Sequence, residues 1–253
     1  MQKYVKWFSG GALVPLMLAA GLCSSASFAQ TSTAAPDLDL QISYYSKVLT
    51  AEGVSREARY QDKMLRRAGH VWLERIVPQS MLKTSHAAEL KKIAHKHGAE
   101  KSSEKLTEHQ HFNPVLIPRH VQLENGKLRI EFIDRTEKMT VSVPPSEFNN
   151  VNFDGSWANN YYLIDPALLK NMKQSAKQSN VDGAVWYERE KNGIFQKVLW
   201  HAQKQIPLMV ESGDRAGTFY QSVEVKVAAN TQAQLPWVNL KGYIHKEYAD
   251  FLD

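Results

Sequence analysis

Apolar and polar residues alternate with a period of two through much of the chain. Leu128-Arg129-Ile130-Glu131-Phe132, Met139-Thr140-Val141-Ser142-Val143 and Val223-Glu224-Val225-Lys226-Val227 are the clearest runs, and each reads as a strand with one wet face. Turn chemistry separates the runs at short intervals. Ala68-Gly69 lies between 56–67 and 70–77, Asn125-Gly126 between 116–124 and 127–134, and Asn192-Gly193 between 183–190 and 194–201. Gly213-Asp214-Arg215-Ala216-Gly217 precedes the run that ends at Val227. Asn-Gly supplies the positive φ of a tight hairpin, so each pair is predicted to be a hairpin in a meander of about nine or ten strands.

Two helical segments are predicted to interrupt the sheet. Asp165 is placed as an N-cap with Pro166 at the first helical position, followed by Leu168, Leu169 and Met172 on one face. The second runs over 86–111, where Leu90, Ile93 and Leu106 form a thin apolar stripe among Lys, Glu and His. The end of the chain, 235–253, carries Trp237, Tyr243, Tyr248 and Phe251 and is expected to dock back onto the sheet. These elements describe an α+β fold, a strongly curved antiparallel sheet or half-barrel with a few covering helices.

The first residues do not belong to that pattern. Lys3 and Lys6 precede an apolar run from Gly11 to Leu22, and Ser27 and Ala29 are small, which predicts a signal peptide over 1–29 cleaved before Gln30. The run is interrupted by Pro15 and is shorter than the roughly 20 residues a membrane span needs. Leu22 stands where a lipid-modified Cys23 would need a small residue. Without 1–29 the chain has 224 residues, 29 basic and 26 acidic side chains, and no cysteine. It must fold without a disulfide, and the bacterial periplasm is the expected compartment. Residues 30–39 are read as a flexible lead-in, with a single domain over 40–253.

Tyr44-Tyr45-Ser46-Lys47, Arg59-Tyr60-Gln61-Asp62-Lys63 and Val71-Trp72-Leu73-Glu74-Arg75-Ile76 open the chain of strands. Phe195-Gln196-Lys197-Val198-Leu199-Trp200, Ile206-Pro207-Leu208-Met209-Val210-Glu211-Ser212 and Gly217-Thr218-Phe219-Tyr220 close it. In order and spacing these elements resemble the LolA-like lipoprotein carriers and the RseB/MucB-like sensors of the bacterial envelope. The resemblance implies a curved sheet that holds an acyl chain, a lipidated protein or an envelope regulatory partner. The segment 78–115 departs from that pattern as a histidine-rich insertion, and no binding residue carries over by motif.

Charge and chemistry refine the picture in two places. Residues 54–120 carry 13 Lys and Arg against 7 Asp and Glu, a basic lobe suited either to a solvated surface or to peripheral contact with an anionic membrane. Seven of nine histidines lie between His70 and His120. His95 with His97 and His109 with His111 have i, i+2 spacing, which puts both rings on one face only in an extended segment. They are the candidate ligands for zinc or copper in the alternative reading, a periplasmic metal-binding protein. The competing reading is a basic loop whose histidines share its polarity. Trp72, Trp186 and Trp200 fall in three predicted strands, and a curved sheet could bring them to one apolar ligand cavity.

Enzymatic signatures are missing from the sequence. It contains no Gly-x-Ser-x-Gly elbow, phosphate-cradling loop or dinucleotide fingerprint, so a non-enzymatic binding protein without a cofactor is expected. Asp154-Gly155-Ser156-Trp157 reads as a turn rather than as a nucleophile. The compartment argues against nucleic acid as a partner.

Overall fold

The computed structural model describes residues 34–77 and 112–252. Its strands are β1 (Leu38–Leu49), β2 (Ser55–Arg67), β3 (His70–Arg75), β4 (Arg119–Glu124), β5 (Lys127–Asp134) and β6 (Met139–Val143). They continue with β7 (Lys173–Gln174), β8 (Ala184–Lys191), β9 (Ile194–His201), β10 (Ile206–Asp214), β11 (Phe219–Val227) and β12 (Ile244–Glu247). All twelve form one curved open sheet in the order β12-β6-β5-β4-β3-β2-β1-β11-β10-β9-β8-β7. The expected α+β architecture, a curved antiparallel sheet with few helices, is the one found.

Two meanders meet at β1. From β1 to β6 each strand is added beside its predecessor; the chain then leaves the sheet, re-enters at β7 on the opposite edge, and works inward until β11 pairs with β1. The hairpins predicted from glycine sit where expected. Asn125 and Gly126 have φ of 51° and 74°, and Asn192 and Gly193 have 53° and 75°, the two left-handed residues of a tight hairpin that matches strand twist.

The excursion between β6 and β7 covers one face, here called the groove face. It contains the 3-10 helix Pro145–Val151, the short helix α1 (Trp157–Tyr161) and the 3-10 helix Pro166–Asn171. Val151, Phe153 and Tyr161 from this segment are buried in one core with Leu40, Ile42, Met64, Val71, Val121, Ile130, Phe132, Val141 and Val225. Ser156 caps α1 by accepting a hydrogen bond from the Asn159 amide at 3.1 Å, and its own N–H donates to Asp154 Oδ1. The serine is thus a helix cap, as the turn reading implies.

The structure alters several expectations. Twelve strands replace nine or ten, because a two-residue β7 and the C-terminal β12 escape any alternation pattern. The first strand starts before Leu40, with Leu38 and Asp39 buried in β1. Asp165 does cap the next turn through Ala167, but Pro166–Asn171 is a 3-10 helix. Its three-residue repeat is the one that stacks Leu169 over Met172, and both pack on Val198 and Trp200. The expected helix 86–111 lies outside the described residues. The last part of the expected insertion, 112–115, belongs to the fold instead: Phe112 packs edge-on to Phe132 at 5.1 Å.

Segment 228–243 crosses the other face, here called the strap face. Trp237, Leu240 and Tyr243 pack there on Leu65, Trp72 and Ile133. The Gln232 backbone fastens the strap, its N–H donating to Asp39 and its carbonyl accepting from Arg67. The chain then adds β12 parallel to β6 and returns Tyr248 and Phe251 to the groove-face core. The aromatic C-terminus therefore docks on both faces.

Candidate functional site

Strand register decides where the candidate tryptophans go. Trp72 on β3 is fully buried on the strap face, with Trp237 at 6.2 Å and its indole N–H donating to Glu74. Trp200 on β9 packs with Met172 and Val198 on the groove face. In the β8–β9 hairpin Val185 lies opposite Trp200, so Trp186, one residue on, points to the strap face under Lys177. Trp72 and Trp186 share a face but stand six strands apart, about 29 Å along the sheet at about 4.8 Å per strand. The three tryptophans do not line one cavity. His95, His97, His109 and His111 lie outside the described residues.

What the fold does form is a set of linked spaces on the groove face and a larger pocket beside the outer half of β2. The larger pocket, about 710 Å³, is lined by Ile76, Val77, Val115 and Leu116 together with Ser43, Tyr45, Arg59, Gln61, Ser222 and Glu224, whose register places them on the strap face. On the groove face a space of about 360 Å³ shares Tyr44, Tyr60, Arg75 and Val115 with that pocket. A third space of about 300 Å³, reaching Phe153 and Leu163, shares Tyr44, Leu73, Arg119 and Asn152 with the second. These sizes are in the range of small-ligand sites. Among the described residues β3 pairs with β2 only from Asp62 to Arg67, and no described strand lies beside the Ser55–Gln61 half of β2 on that side.

Five polar side chains stand on the groove face beside Ile42, Met64, Leu73 and Val121. Tyr44 and Tyr60 are register partners across β1 and β2, and their rings stack at 4.5 Å. Arg75 lies over the Tyr60 ring at 4.0 Å and donates Nε to Asp62 Oδ1 at 2.5 Å. Burial raises the Asp62 carboxyl above its ordinary range, with Arg75 opposing that shift. It also raises the Tyr44 phenol, which stays protonated. Arg119 is the fifth. It faces the inner spaces with its guanidinium 5.4 Å from the Phe153 ring, and burial lowers its pKa.

The partners of Arg119 are few. Its Nη2 donates to Asn160 Oδ1 at 3.4 Å, and its buried Nε has no hydrogen-bond partner. Arg66, on the same face, is spent completely: its donors reach the carbonyls of Pro36, Tyr161, Lys204 and Gln205. Sequence reading places these arginines and Asp62 in a solvated basic lobe. The missed signal is their parity, since Arg119 shares its row with Val121 and Leu123, and Asp62 shares its row with Met64.

The strap face holds a second polar cluster directly behind this wall. The rings of His70 and His120 are linked through Nδ1 and Nε2 at 3.1 Å, and Trp237 stacks on His120 at 4.8 Å. Gln122 donates to His120 Nδ1, so the His120 proton sits on Nε2 and is shared with His70. Burial, reinforced by His70, pushes the His120 pKa down to about 3. Its ring is a neutral, packed element of the strap interface. Among the described residues no three His, Cys, Asp or Glu side chains converge as a metal site.

No protein-family model matches the chain, and no curated protein matches it in sequence. Among solved structures, PNGF-II in two crystal forms is 9% and 10% identical with a TM-score of 0.33, over 85% of this chain and 32% of that one. The chain thus spans about a third of that protein's length. A domain from Vibrio parahaemolyticus assigned to outer membrane lipoprotein sorting is 12% identical with a TM-score of 0.28, covering 77% of this chain and 87% of that one. A DUF1329 family protein from Desulfovibrio piger is 7% identical with a TM-score of 0.26, over 75% and 84%. Similarities of this size establish neither a shared activity nor a shared ligand.

Proposed function

We propose that this chain is a non-enzymatic binding protein of the bacterial envelope that carries a lipophilic ligand in the pocket beside the outer half of β2. The observation that supports this reading is that pocket. Ile76, Val115 and Leu116 leave much of their apolar surface exposed at its wall. Clustered exposed apolar side chains at a cavity mouth favour an apolar guest, because the guest removes that surface from water. The signal peptide read from residues 1–29 supports the compartment.

Native mass spectrometry of gently purified protein, together with titration of a fluorescent acyl probe, tests the reading. A co-purifying lipid, or saturable probe binding that weakens when Leu116→Asp puts a charge into the mouth, is the expected result. Empty protein that binds no probe overturns it.

A further inference from the structure

We infer that the two inner spaces on the groove face form a site for an uncharged sugar, a mono- or disaccharide held through its hydroxyl groups. The inference stands apart from the lipophilic-ligand reading, which concerns the larger pocket beside the outer half of β2.

Charge is the first selector. Arg75 and Arg119 line these spaces together with Asp62 and Asp154, so cations and anions balance. Arg75 is paired with Asp62 at 2.5 Å. Burial lowers the Arg119 pKa, and Tyr44, Asp62 and Asp154 oppose that shift, so both carboxylates act on this guanidinium. A ligand with a net charge of either sign would therefore meet no free counter-charge. A zwitterion fares no better, because Asp154 is also engaged, its oxygens accepting from the Ser156 amide and from the side chains of Asn159 and Asn160.

The spaces are balanced in charge but short of hydrogen-bond partners. Arg119 donates only to Asn160 Oδ1, at 3.4 Å. Among the described residues the Tyr44 and Tyr60 phenols and the Asn152 side-chain amide, all on the lining, have no hydrogen-bond partner. A guanidinium only donates, whereas phenols and amides both donate and accept. A hydroxyl answers all of them, since it carries one donor and two acceptor lone pairs without a charge. An apolar guest would strand the same groups away from water. Leu73, Ile117, Phe153 and Leu163 stand between the polar groups, and a sugar ring likewise alternates C–H faces with hydroxyl edges. Volumes of about 360 and 300 Å³ lie at the lower end of ligand sites, which suits one ring or two. Asn152 and Asp154 are exposed and mark the way in from solvent.

Saturation-transfer NMR and calorimetry on the wild-type protein, with glucose, galactose, N-acetylglucosamine, cellobiose, lactose and chitobiose, provide the test. At least one of these neutral sugars is expected to bind with a Kd below about 1 mM. The uronate and the amino sugar of the same ring, compared at about pH 6.5 where each is charged, are expected to bind at least about tenfold more weakly, because neither charge finds a free partner. Arg119→Gln is expected to weaken the neutral sugar about tenfold and Asn152→Gly about threefold. Asn152 has a φ of 53°, which glycine adopts freely, so this variant carries the test if Arg119→Gln does not fold. Failure of every neutral sugar to bind at about 10 mM refutes the site. A uronate or amino sugar that binds as tightly as its neutral parent shows that charge balance does not select the ligand, and overturns the assignment. Unchanged affinity in both variants places the sugar elsewhere and overturns it as well. None of these results depends on the acyl-probe titration, so the two readings fail separately.

Discussion

Arg66, fully buried, and Arg119, partly buried, face the same side of one sheet, and they are treated in opposite ways. Arg66 is 0% exposed, and its guanidinium ties the lead-in to β1, the end of α1 and the turn before β10 through four backbone carbonyls. Arg119 faces open space with one long hydrogen bond. The first is a clasp whose donors are consumed in folding; the second keeps donors that the described side chains do not take up. Burial of a charge therefore says little about purpose until its donors are followed to their acceptors.

The comparison can be broken at several points. Replacing Arg66 with Met strands the carbonyls it gathers, and should cost about 3–5 kcal/mol in urea unfolding. A loss under about 1 kcal/mol would mean that the clasp holds nothing together. Next in size is the neutral His120 on the strap face. Its folded pKa, about 3, lies below the ordinary 6.5, so between these values the unfolded chain binds more protons. Stability is therefore full above about pH 6.5 and is lost as the pH falls toward 3, at up to about 1.4 kcal/mol per unit. Between pH 7.5 and 5 the wild type should lose about 2 kcal/mol more than His120→Gln, and parallel losses would show that acid acts elsewhere. The smallest effect is expected for Arg119→Gln. Removing an unpaired buried charge should leave ligand-free stability within about 1 kcal/mol or raise it. A loss as large as that of Arg66→Met would make the two arginines alike.

The parts of the fold legible in the sequence were those with local causes. Asn125-Gly126 and Asn192-Gly193 demand positive φ, and the alternating runs beside them have no other use as half-buried strands. β12 was not legible, because Ile244–Glu247 pairs with β6 only after the strap has carried it across the sheet. The tryptophans mislead for a related reason. Clustering three large rings in a curved sheet is plausible by composition, but a two-residue turn at 192–193 already sets Trp186 and Trp200 on opposite faces. The groove was hidden because Asp62, Arg75 and Arg119 look like surface charge, and only their parity with Met64, Leu73 and Val121 places them inside.

β1 has a consequence for the order of events in folding. One side of this strand pairs at once with β2, which follows it closely in the chain. The other pairs with β11, so that Leu40 waits for Val227. Such distant pairing is slow to form, and the sheet cannot be joined in its middle until nearly the whole polypeptide has been synthesised. The two meanders can each form early, but they become one sheet only when β11 closes onto β1.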